Sequence, residues 1–443
     1  MRLFRLLQRH LADPDSHHGS IARGFLWVSF FVLLGKLAGA GKEVAIAYRY
    51  GVAAEVDAYI FILNLLTWPV GVWFSVLTVV LVPMAARVRQ TVPAELPRFR
   101  AELLGLTVLL GLALAGLAWL GMPWLLRSSV TGLPDRTLSL AAGMAGELVP
   151  IALLGALISL FSAWMLASGR HANTLLESVP ALIILLAILL FPDGGAGPLV
   201  WGTLVGFGVH LAGLVALQSR HGGVEAPSFV RRSPQWPTFW PGFGVMLAGQ
   251  MLMGLAVLVD QFFAARMAAG AIAELSYANR ILALILGMGA MAVSRATLPV
   301  FSQARLALSE QVRRVAAYWA RIMFALGAAA MVLGWWLAPW VVRLLFERGA
   351  FAERDTAVVA EVLRYGLTQL PSYFAAIVFV SLLASQGRHR TIAAVAGVGL
   401  LVKLAAMMIL TPMLGVNGIS LASSIMYASI LLLLLLGASG GKK

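Results

Sequence analysis

The residues best placed to do chemistry are charges set inside or at the edges of long apolar runs: Lys36, Lys42, Asp57, Glu147, Asp260, Arg280 and Lys403. An ion in hydrocarbon is costly enough that its presence suggests function. Two of these charges sit on regular faces. Asp57, Asn64, Gly71 and Thr78 recur every seven residues, and Ser276, Arg280, Gly287 and Ser294 form a second stripe; at that spacing each set lines one side of a helix. Lys36, Lys42, Asp57, Asn64 and Arg280 are therefore the candidate substrate-binding set. Its net positive charge suits an anion, and a phosphate or diphosphate best: guanidinium binds such oxygens as a two-pronged fork, ammonium as a point charge. Asp260, Glu147 and Lys403 are candidates for ion coupling or charge balance. Plainer readings stay open. Lys42, with Glu43 and Arg49, suits snorkelling at a membrane surface, and Lys403 or Glu147 can be satisfied by carbonyls or hydroxyls inside a helix bundle.

Other chemistries are missing from the sequence. It holds no cysteine, which excludes thiol catalysis and disulfides. There is no phosphate-binding loop, dinucleotide fingerprint, HExxH or Ser/His/Asp arrangement. The histidines are scattered, so no metal site is expected. The expectation is a protein that is not an enzyme, carries no cofactor, and draws energy from the membrane potential or from a Na+ or H+ gradient.

The elements that must position these charges are membrane helices. Hydrophobic residues make up 60% of the 443 residues and charged ones only 12%, with a mean hydropathy of +0.88. The apolar residues come in blocks near the ~20 residues that cross a hydrocarbon core of about 30 Å. Twelve spans are predicted, near 22–41, 57–85, 101–120, 143–168, 176–191, 197–217, 243–266, 276–302, 316–338, 357–384, 391–411 and 416–437. The formal net charge of +14 resembles a nucleic-acid signal, but much of the surplus lies in short connections between spans. Arg87–Arg100, Arg220–Arg232, Arg305–Arg314, Arg388–Arg390 and the tail Lys442–Lys443 are the richest. By the positive-inside rule these face the cytoplasm, with both termini, and nucleic acid is not an expected partner. The first span is expected to be retained, not cleaved as a signal peptide.

The sequence also repeats. "MPWLLR" (Met122 to Arg127) returns as "APWVVR" (Ala338 to Arg343), 216 positions later, and "LASGRH" (Leu166 to His171) returns as "LASQGRH" (Leu383 to His389). Pro83 matches Pro299, and Tyr59 roughly matches Tyr277. A six-span repeat keeps both copies in one orientation, which predicts an all-α membrane protein of two six-helix lobes related by a pseudo-two-fold along the membrane normal. The expected division is 1–21 as a cytoplasmic N-terminal segment, 22–217 as the first lobe, 218–242 as a cytoplasmic linker, 243–437 as the second lobe and 438–443 as a cytoplasmic tail.

Three segments carry a family resemblance. "GKLAGAGKEVAIAYRYGVAAEVDAYIFILNLL" (Gly35 to Leu66), "ELSYANRILALILGMGAMAVSRATLPVFSQ" (Glu274 to Gln303) and "LLFERGAFAERDT" (Leu344 to Thr356) resemble the MurJ/MviN family of the multidrug/oligosaccharidyl-lipid/polysaccharide exporter (MOP) superfamily. The resemblance implies alternating access and an undecaprenyl-diphosphate-linked glycan, lipid II in the best-known members, flipped outward across a bacterial inner membrane. Family cavity arginines of the first helix fall on Lys36 and Lys42, the aspartate opening the second helix on Asp57, and the eighth-helix arginine on Arg280. The second-helix arginine has no counterpart; Val70 or a neighbour stands there. Family members usually have fourteen helices, the last two forming a groove for the polyprenyl tail, against about twelve spans here. Both departures widen the expected cargo to an exopolysaccharide repeat unit. The expected partners are that polyprenyl-linked glycan and membrane lipids, with the protein a monomer. The alternative is a cation-coupled multidrug or organic-ion exporter of the same superfamily.

Overall fold

A computed structural model describes residues 17–169, 173–220, 222–303 and 310–439. The first sixteen residues, Arg170, His171, His221, Arg305, Lys442 and Lys443 lie outside the described residues. Every described element is helical: α1 His17–Tyr50, α2 Ala54–Thr91, α3 Leu96–Arg127, α4 Asp135–Leu148, α5 Pro150–Ala167, α6 Asn173–Leu176, α7 Val179–Leu190, α8 Gly197–Ser219, α9 Trp236–Ala265, α10 Ala271–Gln303, α11 Glu310–Phe346, α12 Glu353–Leu367, α13 Leu370–Ser385, α14 His389–Leu414 and α15 Val416–Ser439. In hydrocarbon an open backbone finds no water, so the apolar runs close their hydrogen bonds within each helix. Among the described residues nine helices are long and apolar enough to cross a membrane, and Val179–Leu190 and Gly249–Ala265 are shorter apolar helices. Together with α1, these account for the twelve expected spans in order.

The fourth and tenth spans are each a broken pair. Pro150 opens α5 directly after α4, and Pro371 stands second in α13 after α12. Proline lacks the N–H that would continue the ladder and is tolerated in a first turn. The repeat thus reproduces its break in both copies. The connections are also shorter than expected. Arg87 and Arg89 ride on the end of α2, and Arg98 and Arg100 on the start of α3, with one 3-10 turn at Pro93–Glu95 between. At about 1.5 Å per residue α2 extends for roughly 57 Å, well past a hydrocarbon core.

The residues group into two compact units that do not follow the repeat boundary. The first takes the chain up to Ile46, Leu66–Trp119 and Glu147–Leu247; the second takes Ala47–Leu65, Leu120–Gly146 and the chain from Ala248 onward. In the first unit, Phe99 and Trp164 pack edge-on with Trp236 and Phe239 over Leu77, Leu81 and Leu160. In the second, Phe301, Val378, Phe379 and Leu382 form a buried cluster with Val293 and Leu434.

The Pro-rich linker is not a free tether. Its chain lies along α3, where Ser228 donates its N–H to the carbonyl of Ala101 at 2.8 Å. A Cβ on Gly105 would stand 2.1 Å from the Ser228 carbonyl oxygen, so that approach requires glycine. Glu102, 2% exposed, holds the rest. Its carboxylate accepts the N–H groups of Arg232 and Ser233 at 3.0 Å each, the Trp236 indole N–H at 2.7 Å and Arg98 Nε at 3.2 Å. Replacing Glu102 by alanine strands several buried donors at once, at about 1–3 kcal/mol each. The expected result is a stability loss of about 3 kcal/mol or more, read as a lower thermal midpoint, with faster tryptic cleavage at Arg231–Arg232. Glu102→Gln, which keeps an acceptor, loses less.

Candidate functional site

The most densely built site among the described residues lies in the second unit, where the α1–α2, α3–α4, α9–α10 and α11–α12 turns meet. Asp57 stands in the first turn of α2, yet its carboxylate caps a different helix. Its Oδ2 accepts the Gly270 N–H at 2.6 Å and its Oδ1 the Ala273 N–H at 2.7 Å. These are amides at the start of α10, which have no acceptor within their own helix and stand at its positive end. A carboxylate there makes short charge-assisted bonds. At 2% exposure Asp57 is closed off by these amides, and its carboxylate acts as a cap on α10 in this structure.

Around that cap the main chains approach closely. Ala350 donates its N–H to the Tyr48 carbonyl at 2.7 Å, and the Tyr277 hydroxyl donates to the Gly51 carbonyl at 3.1 Å. Gly51 and Gly349 face this seam with φ of +56° and +61°. A Cβ on Gly51 would lie 2.5 Å from the Ala350 oxygen, and one on Gly349 would lie 2.2 Å from that of Tyr48. Only glycine meets both demands. Buried Tyr277 is held by the rings of Phe346 and Phe351, with centroids 5.0 and 5.5 Å away. Two exposed arginines complete the seam. Arg136 Nη2 lies 2.8 Å from Glu55 Oε1, and Arg266 donates to the Val130 carbonyl from Nη2 at 3.1 Å.

Arg280 follows Tyr277 by three residues on α10 and is exposed, as are Leu284, Gly287 and Met291 on the same face. The opposite face, with Tyr277, Ala278, Ile281 and Leu282, is buried. The guanidinium therefore rides about two to three turns into the helix whose first amides Asp57 holds. Asn64 on α2 is half-buried, and Gly71, one step further along the stripe, is exposed. That stripe therefore passes from a closed end at Asp57 to an open face.

The remaining candidates divide between the units. Lys36 is exposed on α1, and Lys42 Nζ sits 2.6 Å from Glu43 Oε1. Both lysines belong to the first unit, whereas Asp57, Asn64 and Arg280 belong to the second. Glu147 is exposed where α4 ends. Asp260 and Lys403 pair in the second unit, with Nζ 2.7 and 2.8 Å from the two carboxylate oxygens. Val70, where the resemblance leaves an arginine without counterpart, is buried against α5: a Cβ on Gly155 would meet its Cγ1 at 2.8 Å. That face has no room for a long cation. Among the described residues no group of three or more His, Asp or Glu could hold a metal ion. The sequence reading missed Tyr48, Gly51, Glu55, Arg136, Gly349 and Glu102. Gly349 lies in the quoted "FERGAF" segment, but nothing in the sequence pairs it with Gly51.

Comparison with known proteins identifies the family and the fold. A family model described as lipid II flippase MurJ matches residues 36–440. Among curated relatives, a probable lipid II flippase MurJ of Helicobacter pylori strain J99 is 28% identical over 218 residues, covering 48% of this chain and 46% of the relative. One from Rhizobium meliloti is 34% identical over 160 residues, covering 34% of this chain and 29% of the relative. The chain thus aligns with less than half the length of these relatives. Among solved structures, a lipid II flippase MurJ in an inward closed conformation superimposes with a TM-score of 0.79 at 20% identity, covering 94% of this chain and 87% of the other. An inward-facing multidrug resistance MATE transporter of the MOP superfamily gives 0.72 at 15% identity, covering 91% and 94%. At those identities the structural matches speak for the fold.

Proposed function

Because the chain belongs to the MurJ lipid II flippase family, we propose that it flips an undecaprenyl-diphosphate-linked glycan, a lipid II-like precursor or an exopolysaccharide repeat unit, from the cytoplasmic to the periplasmic leaflet by alternating access. The observation that carries this reading is that α10 exposes Arg280 three residues after Tyr277, on the helix whose first amides Asp57 caps. Diphosphate oxygens take an arginine fork in charge-assisted bonds. Drawn to Arg280, they pull on a stiff helix whose first turn is latched nearby, so headgroup binding and gate release share one element. Lys36, exposed on α1, is proposed as a headgroup cation from its place in an apolar run and the family resemblance. Lys42 would have to leave Glu43 to act as a third.

We place both termini in the cytoplasm on the positive-inside pattern, which puts the turns latched by Asp57 on the periplasmic side. The protein is proposed to act as a monomer without a resident cofactor, drawing on the membrane potential or a Na+ or H+ gradient. The organic-cation exporter reading needs acids available to the drug. Of the three acids singled out in the sequence, Asp57 is engaged by backbone amides and Asp260 by Lys403, which leaves only Glu147, exposed at the end of α4, for a cationic drug.

The test is a reconstituted flipping assay offering lipid II, a simpler polyprenyl-diphosphate sugar and a lipophilic cation side by side. Movement of either diphosphate lipid, with the cation left behind, supports the reading. Export of the cation alone overturns it.

A further inference from the structure

Asp260 and Lys403 form a pair that the gate and the headgroup site do not use. Asp260 lies near the end of α9 in the run "VLVDQFF", and Lys403 near the middle of α14 in "GLLVKLAAMM". The Lys403 side chain is 3% exposed and that of Asp260 13%, and one ammonium touches both carboxylate oxygens at 2.7 and 2.8 Å. Residues near them along both helices are buried as well. Met407, one turn beyond Lys403, is fully buried, and the Phe262 ring meets Phe61 edge-on at 5.5 Å.

Stability alone does not explain such a pair, because a well-packed apolar replacement is often neutral or better. A carboxylate in this setting has three ways to be neutralised: a proton, a mobile cation, or a cation supplied by the protein. Here the third is in place. The tether matters, since a group held on a short chain presents an effective concentration that a dilute free ion cannot match.

We infer that Lys403 is a built-in counter-ion, occupying at Asp260 the place a mobile monovalent cation would take, so that this carboxylate takes up no cation from solution during the transport cycle. The pair carries no net charge. Displacing it as a unit therefore does no work against the membrane potential, and any electrical coupling must enter through other charges or through the cargo. The inference does not depend on which lipid is carried.

The test is thermal unfolding of the purified full chain in sodium, potassium and N-methyl-D-glucamine chlorides at equal ionic strength. Wild type is expected to melt at one temperature in all three. Lys403→Met leaves Asp260 without its partner and is expected to melt lower. Its midpoint should then rise by about 3 °C or more in sodium or potassium over N-methyl-D-glucamine, as ligand linkage requires. The doubly neutral Asp260→Asn/Lys403→Met variant is expected to be insensitive to the salt again. A Lys403→Met protein that folds and ignores the alkali cations overturns the proposal. So does a sodium-dependent rise in wild type that the double variant lacks, and this arm decides the matter if Lys403→Met does not fold.

Discussion

Arg280→Glu is expected to lose lipid flipping by roughly 100-fold or more, because two charge-assisted hydrogen bonds of about 1.5–3 kcal/mol each become repulsion. Folding should survive, since Arg280 is exposed and the buried face of α10 is formed by Tyr277, Ala278, Ile281 and Leu282. Arg280→Lys keeps the charge and loses the fork, so it should fall between the two. The measurement is initial flipping rate in vesicles of matched protein content, with the thermal midpoint as control. An Arg280→Glu protein within threefold of wild type would remove the headgroup role from this residue.

Asp57→Ala should spring the latch. It takes the carboxylate from the Gly270 and Ala273 amides and leaves Glu274 as the acid of the first turn of α10. A loss of about 3 kcal/mol in the closed arrangement shifts an open–closed equilibrium by roughly 100-fold. The sequence contains no cysteine, so one introduced thiol reports without background. Val52→Cys is suitable, because Val52 packs where a Cβ on Gly270 would stand 2.9 Å from its Cγ1. Modification of that thiol by a membrane-impermeant maleimide from the outer face should speed up by about the same factor in Asp57→Ala. It should change less in Asp57→Asn, which keeps one acceptor oxygen. Equal rates in all three proteins would show that the seam closes without Asp57.

Much of the fold could be read from the order of residues, because in a bilayer the apolar run and the span are nearly the same thing. The recurrence of "PW" within α3 and α11, and of a proline-opened second half in the fourth and tenth spans, follows from local chain chemistry. What could not be read were bonds between distant segments. Glu102 stands four residues after Arg98, the spacing of an ordinary surface pair on a helix. Its decisive partners are Arg232, Ser233 and Trp236, 130 to 134 residues on. Asp57 was legible as a costly charge, but that cost is equally met by a ligand cation or by a foreign helix terminus. The structure chooses the second. Asp260 and Lys403 illustrate the converse: opposite ions in hydrocarbon must each find a partner, and the fold supplies each with the other across 143 residues.

The docking of the linker on α3 bears on how the two repeats can be produced as separate polypeptides. The repeat boundary invites a cut after residue 217, but a fragment ending there lacks Trp236 and Phe239, which complete the aromatic layer over Phe99 and Trp164. It also leaves the Glu102 carboxylate without three of its donors. Ending the fragment at Leu247, where the first compact unit closes, retains both. That later position, however, lies inside α9 (Trp236–Ala265), so neither division yields two self-sufficient halves. Split, co-expressed proteins cut at either position should reach the membrane intact less often than the unbroken chain.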